Sequence, residues 1–289
     1  MGSQKQRFPL GTKAEPGIFD LSRVFPLCLR VSVVQLHHID LGGAGQPPMI
    51  ILHGLLGSSR NWLSTGRDLA KYFHVFALDA RNHGKSPHAP EMTYEAMMQD
   101  IIGWMDGQGL ARATIIGHSM GGKTAMLLAC RQPERVERLV VVDIAPKDYS
   151  WAAHRSEFAA MTELDLASLT SRGEAELRFE GRVPNLGMRK FLSTNLTQAD
   201  DNAWHWQINL PVLMASLPAM EKNCLRPEDR YAGPTLFVLG GRSRYAESSD
   251  HALIQRHFPA VRIEVIADSG HNPHMDQREE FVRLVTRHN

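Results

Sequence analysis

The sequence between Ala113 and Gly122 reads A-T-I-I-G-H-S-M-G-G and predicts a strand, a tight turn and the start of a helix. The β-branched run at 114–116 favours the strand, and a helix-forming run follows the glycines. Ser119 lies at the apex and fits G-x-S-x-G, the pattern of a nucleophile elbow. The flanking glycines have no Cβ to obstruct the close approach of strand and helix. We therefore predict a nucleophilic Ser119, with the N–H of Met120 directed at an oxyanion.

Composition, charge and cysteine content restrict the class of protein. The 289 residues, 43% of them hydrophobic and 22% charged, suit one large globular domain or a core with an insertion. The formal net charge of +1 provides no field for nucleic acid, so no nucleic-acid partner is expected. Cys28, Cys130 and Cys224 are widely spaced and form neither a disulfide framework nor a zinc motif. No apolar run reaches the roughly 20 residues of a membrane span, and we expect a cytoplasmic location.

Outside one long segment, apolar runs alternate with helical patterns, which predicts an α/β protein with a mostly parallel sheet and helices on both faces. The runs that predict strands cover residues 31–36, 49–52, 75–78, 114–116, 138–146, 235–239 and 262–266. The patterns that predict helices cover residues 60–72, 93–108, 120–131, 248–258 and 277–287.

The alternation stops at residues 147–231, which predict a helical cap inserted in the core. This segment reads as five helices without a strong strand, over residues 151–161, 164–169, 174–182, 188–196 and 202–220. We therefore predict an α/β core at 24–146 and 232–289, and a flexible leader at 1–23. The residues predicted to line a substrate pocket are His118, Trp151, Phe158, Trp204 and Leu213.

A second glycine-flanked turn follows the apolar run at 49–52. Residues 53–58 read H-G-L-L-G-S, at the end of a predicted central strand, where α/β sheets place ligand contacts. We predict that the N–H of Leu55 is the second oxyanion donor, beside that of Met120. The alternative interpretation is an ordinary turn between a strand and a helix.

Three chemistry-bearing residues each follow a predicted strand, in the chain order Ser119, Asp143, His271. This is the order of nucleophile, acid and base in α/β-hydrolases. A serine hydroxyl needs a base, for which His271 is the candidate, and a carboxylate such as Asp143 fixes the tautomer of that base. Asp268 is a weaker candidate for the acid, because it lies too close in sequence to reach the His271 ring easily.

Two other polar loops carry candidates that we interpret as structural. Asp79, Arg81 and His83 follow a predicted strand, and we expect them to brace the loop near the site rather than to act in catalysis. His274 comes three residues after His271, but no cysteine or carboxylate cluster completes a metal site there. We therefore expect no metal.

These motifs resemble the α/β-hydrolase superfamily, and within it the capped serine esterases, over roughly residues 31–289. The matching motifs are residues 53–57, 117–122 and 269–271. The R-N-H-G sequence at 81–84 is similar to that of the YbfF-type esterases and their abhydrolase-domain relatives. Ser243 stands where many relatives carry the triad acid. The resemblance therefore implies Asp143 as the acid, with Ser243 as a polar support to His271.

The combined prediction is a cofactor-free serine hydrolase that cleaves carboxylic esters of short to medium acyl chains through an acyl-enzyme. Its partner is a small-molecule acyl ester, and the oligomeric state stays open. The same triad supports thioester, amide or C–C bond hydrolysis, perhydrolysis or elimination, and a receptor-like protein with slow turnover is a further alternative. An anionic substrate would require inward-facing arginines of the cap, and the candidates are Arg155, Arg172, Arg178, Arg182 and Arg189.

Overall fold

The computed structural model describes residues 1–2, 33–200 and 202–287, and those from 33 onward belong to one compact unit. In this part of the chain the strands are β1 (His38–Asp40), β2 (Pro48–Leu52), β3 (His74–Leu78), β4 (Ala113–His118), β5 (Val136–Val142), β6 (Leu196–Gln198), β7 (Trp204–Trp206), β8 (Thr235–Gly240) and β9 (Val261–Ile266). The α-helices are α1 (Leu63–Leu69), α2 (Tyr94–Gly107), α3 (Met120–Arg131), α4 (Ala152–Glu163), α5 (Arg172–Arg178), α6 (Leu186–Ser193), α7 (Leu210–Met220), α8 (His251–His257), α9 (Pro273–Asp276) and α10 (Arg278–Thr286).

Seven of the described strands form the central sheet, in the order β1-β3-β2-β4-β5-β8-β9. The edge strand β1 pairs antiparallel with β3, and every other neighbouring pair is parallel. The parallel arrangement puts the carboxyl ends of β2, β4, β5 and β8 at one edge of the sheet, where ligand sites of open α/β sheets lie.

Both faces of the sheet are covered, as the continuous apolar runs predicted. Successive side chains of a strand point to opposite faces, and β2 follows this rule. Met49 and Ile51 pack in a cluster with residues of α1 and α10, whereas Ile50 and Leu52 pack in a second cluster with residues of α2 and α3. The predicted α/β class, with a mostly parallel sheet and helices on both faces, is confirmed.

The strand predicted at residues 31–36 is wrong in its described part. Residues 33–37 form no strand, and the first strand is β1, a few residues later. Two backbone N–H groups of this segment donate to side chains instead of to a neighbouring strand: the Val34 N–H donates to the Asp100 carboxylate, and the His37 N–H donates to the Ser86 hydroxyl. Residues 31 and 32 lie outside the described part.

The fifth core strand ends earlier than predicted, at Val142 instead of residue 146. Asp143 has a φ of 51°, which is left-handed backbone that cannot continue a strand. The other core predictions agree with the structure to within a few residues at each end. Thr93 caps α2 by accepting a hydrogen bond from the Ala96 N–H.

The segment between β5 and β8, residues 143–234, is called the insertion below. Its helices α4 to α7 correspond to four of the five predicted ones, but two predictions are wrong. Residues 164–169 form no helix, and residues 204–206 form β7, which pairs antiparallel with β6. The aromatic side chains of Trp204 and Trp206 favour strand over helix, and the pairing with β6 overrides the helical pattern.

The division into a core at 24–146 and 232–289 and a cap at 147–231 stays a prediction. The leader predicted at 1–23 lies, apart from residues 1–2, outside the described part of the chain, as does Cys28. Cys130 and Cys224 are both free thiols. Among the helices of the described residues, none has the length and apolar character needed to cross a membrane.

Candidate active site

Ser119 lies between β4 and α3 in strained backbone. Its φ of 51° and ψ of −115° are rarely adopted by a residue with a side chain. The neighbouring glycines make this turn feasible, because a Cβ on Gly117 would lie 2.2 Å from the carbonyl oxygen of Gly121, and a Cβ on Gly121 would lie 2.5 Å from that of Leu52. The predicted strand, turn and helix are therefore present, with Ser119 at the apex.

Asp143 and His271 meet across 128 positions of sequence. Asp143 Oδ2 accepts a hydrogen bond of 2.7 Å from His271 Nδ1 and another from the Ser243 hydroxyl, while Oδ1 accepts one of 2.8 Å from the Gly240 N–H. The carboxylate is fully buried. Because Asp143 accepts from Nδ1, the other ring nitrogen of His271 carries the lone pair that can take a proton. The structure thus brings Ser243 to the carboxylate of Asp143, which in turn binds His271.

Tyr245 contributes a contact that no sequence pattern predicts. Its ring stacks on the His271 ring, with centroids 3.7 Å apart and an interplanar angle of 17°. Its own backbone is fixed at both ends: the N–H donates to the Ser243 hydroxyl, and the carbonyl accepts from the Tyr149 hydroxyl. The face of His271 is thereby held in one orientation. No sequence signal could have identified Tyr245, because the stacking depends on two loops that meet only in the folded chain.

The turn after β2 packs directly on the elbow. A Cβ on Gly54 would lie 2.9 Å from His118 Nδ1 and 3.4 Å from Ser119 Cβ, so only glycine allows this approach. The Gly54 carbonyl accepts hydrogen bonds from His53 Nδ1 at 2.7 Å and from the Gly57 N–H at 3.0 Å.

These two bonds orient the peptide group that joins Gly54 to Leu55. No peptide bond of the described residues is cis, so the Leu55 N–H points away from the donors that hold the Gly54 carbonyl. Among the described residues, no group accepts a hydrogen bond from this N–H. The first N–H groups of α3, including that of Met120, likewise have no acceptor within their helix.

His83 and Asp79, two of the three residues predicted to brace the loop near the site, contact this turn and the residue that follows it. His83 Nε2 accepts a hydrogen bond of 3.2 Å from the Leu56 N–H, and Asp79 accepts one of 2.7 Å from the Ser59 N–H. Arg81 turns the other way and forms a fully buried ion pair with Asp100, with 2.6 Å between Nε and Oδ2. His83 therefore contacts the turn, while Arg81 anchors the loop to α2.

The buried histidines around the site are held neutral. Burial lowers the pKa of His83 to about 3, and burial lowers the pKa of His53 as well. In each ring Nδ1 donates to a backbone carbonyl and Nε2 accepts from a backbone N–H, which fixes one neutral tautomer. Each of these rings therefore joins two backbone groups through hydrogen bonds of fixed direction.

His118 and His274 lie behind His271. His118 Nε2 donates a hydrogen bond of 2.8 Å to the carbonyl of His271, and burial lowers its pKa well below the usual value. His274 stacks on Trp62 with 4.0 Å between ring centroids, and burial lowers its pKa to about 3. Among the described residues, no group of three histidine, cysteine or carboxylate side chains is arranged to hold a metal ion.

Three of the four insertion residues predicted to line a pocket belong to the hydrophobic cluster that contains Leu55 and Met120, and the fourth packs against it. Trp151, Phe158 and Leu213 are buried in this cluster, and Trp204 packs against it half-buried. Trp151 also lies over the Lys123 ammonium, at 5.8 Å from the ring centroid, and the Arg172 guanidinium lies 5.9 Å from the Trp204 ring. Their contact with substrate stays a prediction.

The five candidate arginines of the insertion are engaged within the insertion itself. Four of them form ion pairs, Arg155 with Glu221, Arg178 with Glu174, Arg182 with Glu163 and Arg189 with Glu180. Arg172 donates a hydrogen bond of 2.7 Å to the carbonyl of Leu196. The described contacts of these side chains bring none of them to Ser119.

The fold and the site together define the class of α/β-hydrolases. The defining features are a strained serine at an elbow, a buried carboxylate bound to a histidine, and a mostly parallel sheet with an insertion after β5. Comparison with known sequences agrees, because residues 47–277 match the family described as alpha/beta hydrolase fold. The chain belongs to this family.

The similar proteins include a lipase and esterases. The chain is 40% identical over 254 residues to the mouse (Mus musculus) sn-1-specific diacylglycerol lipase ABHD11, covering 85% of this chain and 81% of that protein. It is 34% identical over 241 residues to esterase YbfF of Escherichia coli K12, covering 83% of this chain and 92% of that protein. The structure of a marine microorganism esterase superposes with a TM-score of 0.84 at 34% identity, covering 87% of this chain and 98% of that one. The chain is thus a hydrolase of the esterase type.

Proposed function

We propose that this protein cleaves carboxylic esters of short to medium acyl chains through an acyl-enzyme on Ser119. The observation that carries the proposal is the 2.7 Å hydrogen bond between Asp143 and His271 at the edge of the sheet where the elbow presents Ser119. A histidine fixed in this tautomer is a general base, and a serine at a strained turn is its nucleophile.

In the proposed reaction, His271 Nε2 takes the proton of Ser119 Oγ as that oxygen attacks the ester carbonyl carbon. The N–H groups of Leu55 and Met120 stabilise the resulting oxyanion. When the tetrahedral intermediate collapses, the ester C–O bond breaks and the leaving alkoxide takes the proton from His271. Water then attacks the acyl-enzyme by the same route, which releases the acid and restores the serine.

The contacts of the insertion support a neutral ester over an anionic substrate. A carboxylate or phosphate on the substrate would need a cationic partner near the reacting carbon. The five arginines that are candidates for this role are engaged by carboxylates or by a carbonyl within the insertion. The buried Lys123 ammonium beside Trp151 donates to backbone carbonyls.

The test is hydrolysis of p-nitrophenyl esters from acetate to dodecanoate by the wild type and by Ser119→Ala, with Ser249→Ala at an exposed serine as the matched control. We expect turnover of the short and medium esters, a loss of several orders of magnitude in Ser119→Ala, and no loss in the control. Full turnover by Ser119→Ala, or an inert wild type, would contradict the proposal.

A second candidate is hydrolysis of diacylglycerol at the sn-1 position, the activity in the name of the mouse relative at 40% identity. Both candidates use the same nucleophile and differ in the acyl chain and leaving group. A diacylglycerol with distinct acyl chains at sn-1 and sn-2, assayed beside the p-nitrophenyl series, separates them. Faster turnover of the diacylglycerol, with release of the sn-1 acid, would favour the second candidate.

A further inference from the structure

Leu56 is held in an unusual backbone conformation within the turn after β2. Its φ of 59° is left-handed, which is uncommon for a residue with a side chain and costs roughly 1–2 kcal/mol. Both of its peptide groups are held: the N–H by His83 Nε2 at 3.2 Å, and the carbonyl by the Asn195 side-chain amide at 2.9 Å. The first partner belongs to the core, and the second belongs to the insertion.

Asn195 is well placed to hold this carbonyl. It lies between α6 and β6, and its side chain is buried. Its own backbone is anchored, because its N–H donates to the Leu192 carbonyl at 3.1 Å and its carbonyl accepts from the Gln207 N–H at 2.8 Å. Among the described residues, Asn195 is the side-chain donor to the Leu56 carbonyl, and a buried carbonyl that loses such a donor incurs the desolvation cost of an unmade hydrogen bond, about 1–3 kcal/mol.

The conformation of Leu56 is linked to the neighbouring oxyanion donor through the turn. The Gly57 N–H, which directly follows Leu56, donates to the Gly54 carbonyl and so helps to orient the peptide group that presents the Leu55 N–H. A relaxation of Leu56 toward negative φ would displace the Gly57 N–H and weaken that orientation. Oxyanion donors act only when they are fixed at hydrogen-bonding distance from the developing charge.

We propose that Asn195 is a positioning residue, through which the insertion holds the Leu55 N–H in the geometry that stabilises the oxyanion. The proposal rests on the proposed function, since it assumes an oxyanion at Leu55 and Met120. In this arrangement the insertion contributes to the chemical step.

A matched control is available in the same insertion. The Asn209 side-chain amide donates a hydrogen bond of 3.0 Å to Asn82 Oδ1, another contact between the insertion and a core loop. Asn82 follows β3 and makes no described contact with the turn that contains Leu55. Loosening of the insertion in general should appear in variants of both asparagines, whereas a change at the oxyanion should appear only in variants of Asn195.

The experiment compares Asn195→Leu, Asn195→Asp and Asn209→Leu with the wild type. The measurements are kcat and KM on p-nitrophenyl butyrate, and the inhibition constant of an alkyl trifluoromethyl ketone, which forms a tetrahedral adduct with a serine. Concentrations are corrected by active-site titration with a fluorophosphonate, so that only folded enzyme is counted.

We expect Asn195→Leu to lower kcat by about 10²-fold, with KM within about 2-fold, because a lost oxyanion donor typically costs 10²–10³-fold. The affinity for the ketone should fall by the same factor. Asn195→Asp should be at least as impaired, because a carboxylate oxygen would face the Leu56 carbonyl. Asn209→Leu should keep kcat and the ketone affinity within about 2-fold.

Two results would overturn the inference while the proposed function stands: an Asn195→Asp enzyme with wild-type kcat and ketone affinity, or equal losses of kcat in Asn195→Leu and Asn209→Leu. A wild type that neither hydrolyses the ester nor binds the ketone would overturn the proposed function, and the inference with it. If Asn195→Leu does not fold, the isosteric Asn195→Asp decides the outcome.

Discussion

The Asp143→Asn substitution tests the assigned acid without changing its size. The carboxylate accepts from three donors, the Gly240 N–H on Oδ1 and the His271 ring and Ser243 hydroxyl on Oδ2. An asparagine that turns its NH₂ toward Gly240 would place two donors against each other in a fully buried site. The backbone N–H of Gly240 therefore forces the amide to present its NH₂ to His271.

In that orientation the His271 Nδ1 must accept a hydrogen bond, and its proton moves to Nε2. This tautomer cannot take the proton of Ser119. We expect kcat/KM to fall about 10⁴-fold, as is typical when a triad carboxylate is replaced by its amide, which corresponds to about 5.4 kcal/mol of transition-state stabilisation.

The assay is kcat/KM on p-nitrophenyl butyrate, with circular dichroism to verify the fold and ¹⁵N NMR of the His271 ring to identify its tautomer. Asp268→Asn is the matched control, because Asp268 is exposed and pairs with Arg242 at the surface. It should stay within about 2-fold of the wild type. More than a tenth of wild-type kcat/KM in Asp143→Asn, or a larger loss in Asp268→Asn, would refute the assignment.

Two further predictions concern stability. Gly117→Ala should destabilise the fold by at least about 2 kcal/mol in thermal or urea unfolding, because its Cβ would lie 2.2 Å from a backbone oxygen. Gly107→Ala is the control and should be neutral or stabilising, because a Cβ at Gly107 meets nothing within 4 Å. Equal effects of the two substitutions would contradict the steric account of the elbow. His274 has a pKa of about 3 in the fold and about 6.5 when unfolded, so the unfolded chain binds more protons below pH 6.5 and stability falls by about 1.4 kcal/mol per pH unit. His274→Phe should keep the stacking on Trp62. Between pH 6.5 and 5, its free energy of unfolding should fall by about 2 kcal/mol less than that of the wild type. A difference from wild type that does not vary with pH would argue against burial of a neutral ring.

Local sequence patterns predict most of the strands and helices of the core. Apolar runs such as residues 49–52 predict strands because a buried strand needs apolar side chains on both faces, and the structure agrees. The sequence does not predict the β6–β7 hairpin, because each of its strands has only three residues. In so short a segment, the alternation of apolar and polar residues along a strand cannot be distinguished from a helical pattern. Propensity alone predicts a strand in the segment before β1, but side chains of Asp100 and Ser86 accept hydrogen bonds from its backbone N–H groups.

The sequence by itself determined the elbow, because the strand, the glycines and Ser119 are adjacent in the chain and their steric requirements are local. Tertiary structure decided which polar groups meet. Ser243 lies 100 positions from Asp143, and Asn195 lies 139 positions from the carbonyl of Leu56 to which it donates. Contacts of this kind depend on the strand order and on the path of the insertion. The local sequence around a residue predicts neither of them. The physical reason is that backbone sterics and periodicity act over a few residues, whereas hydrogen bonds between loops exist only after the sheet has brought those loops together.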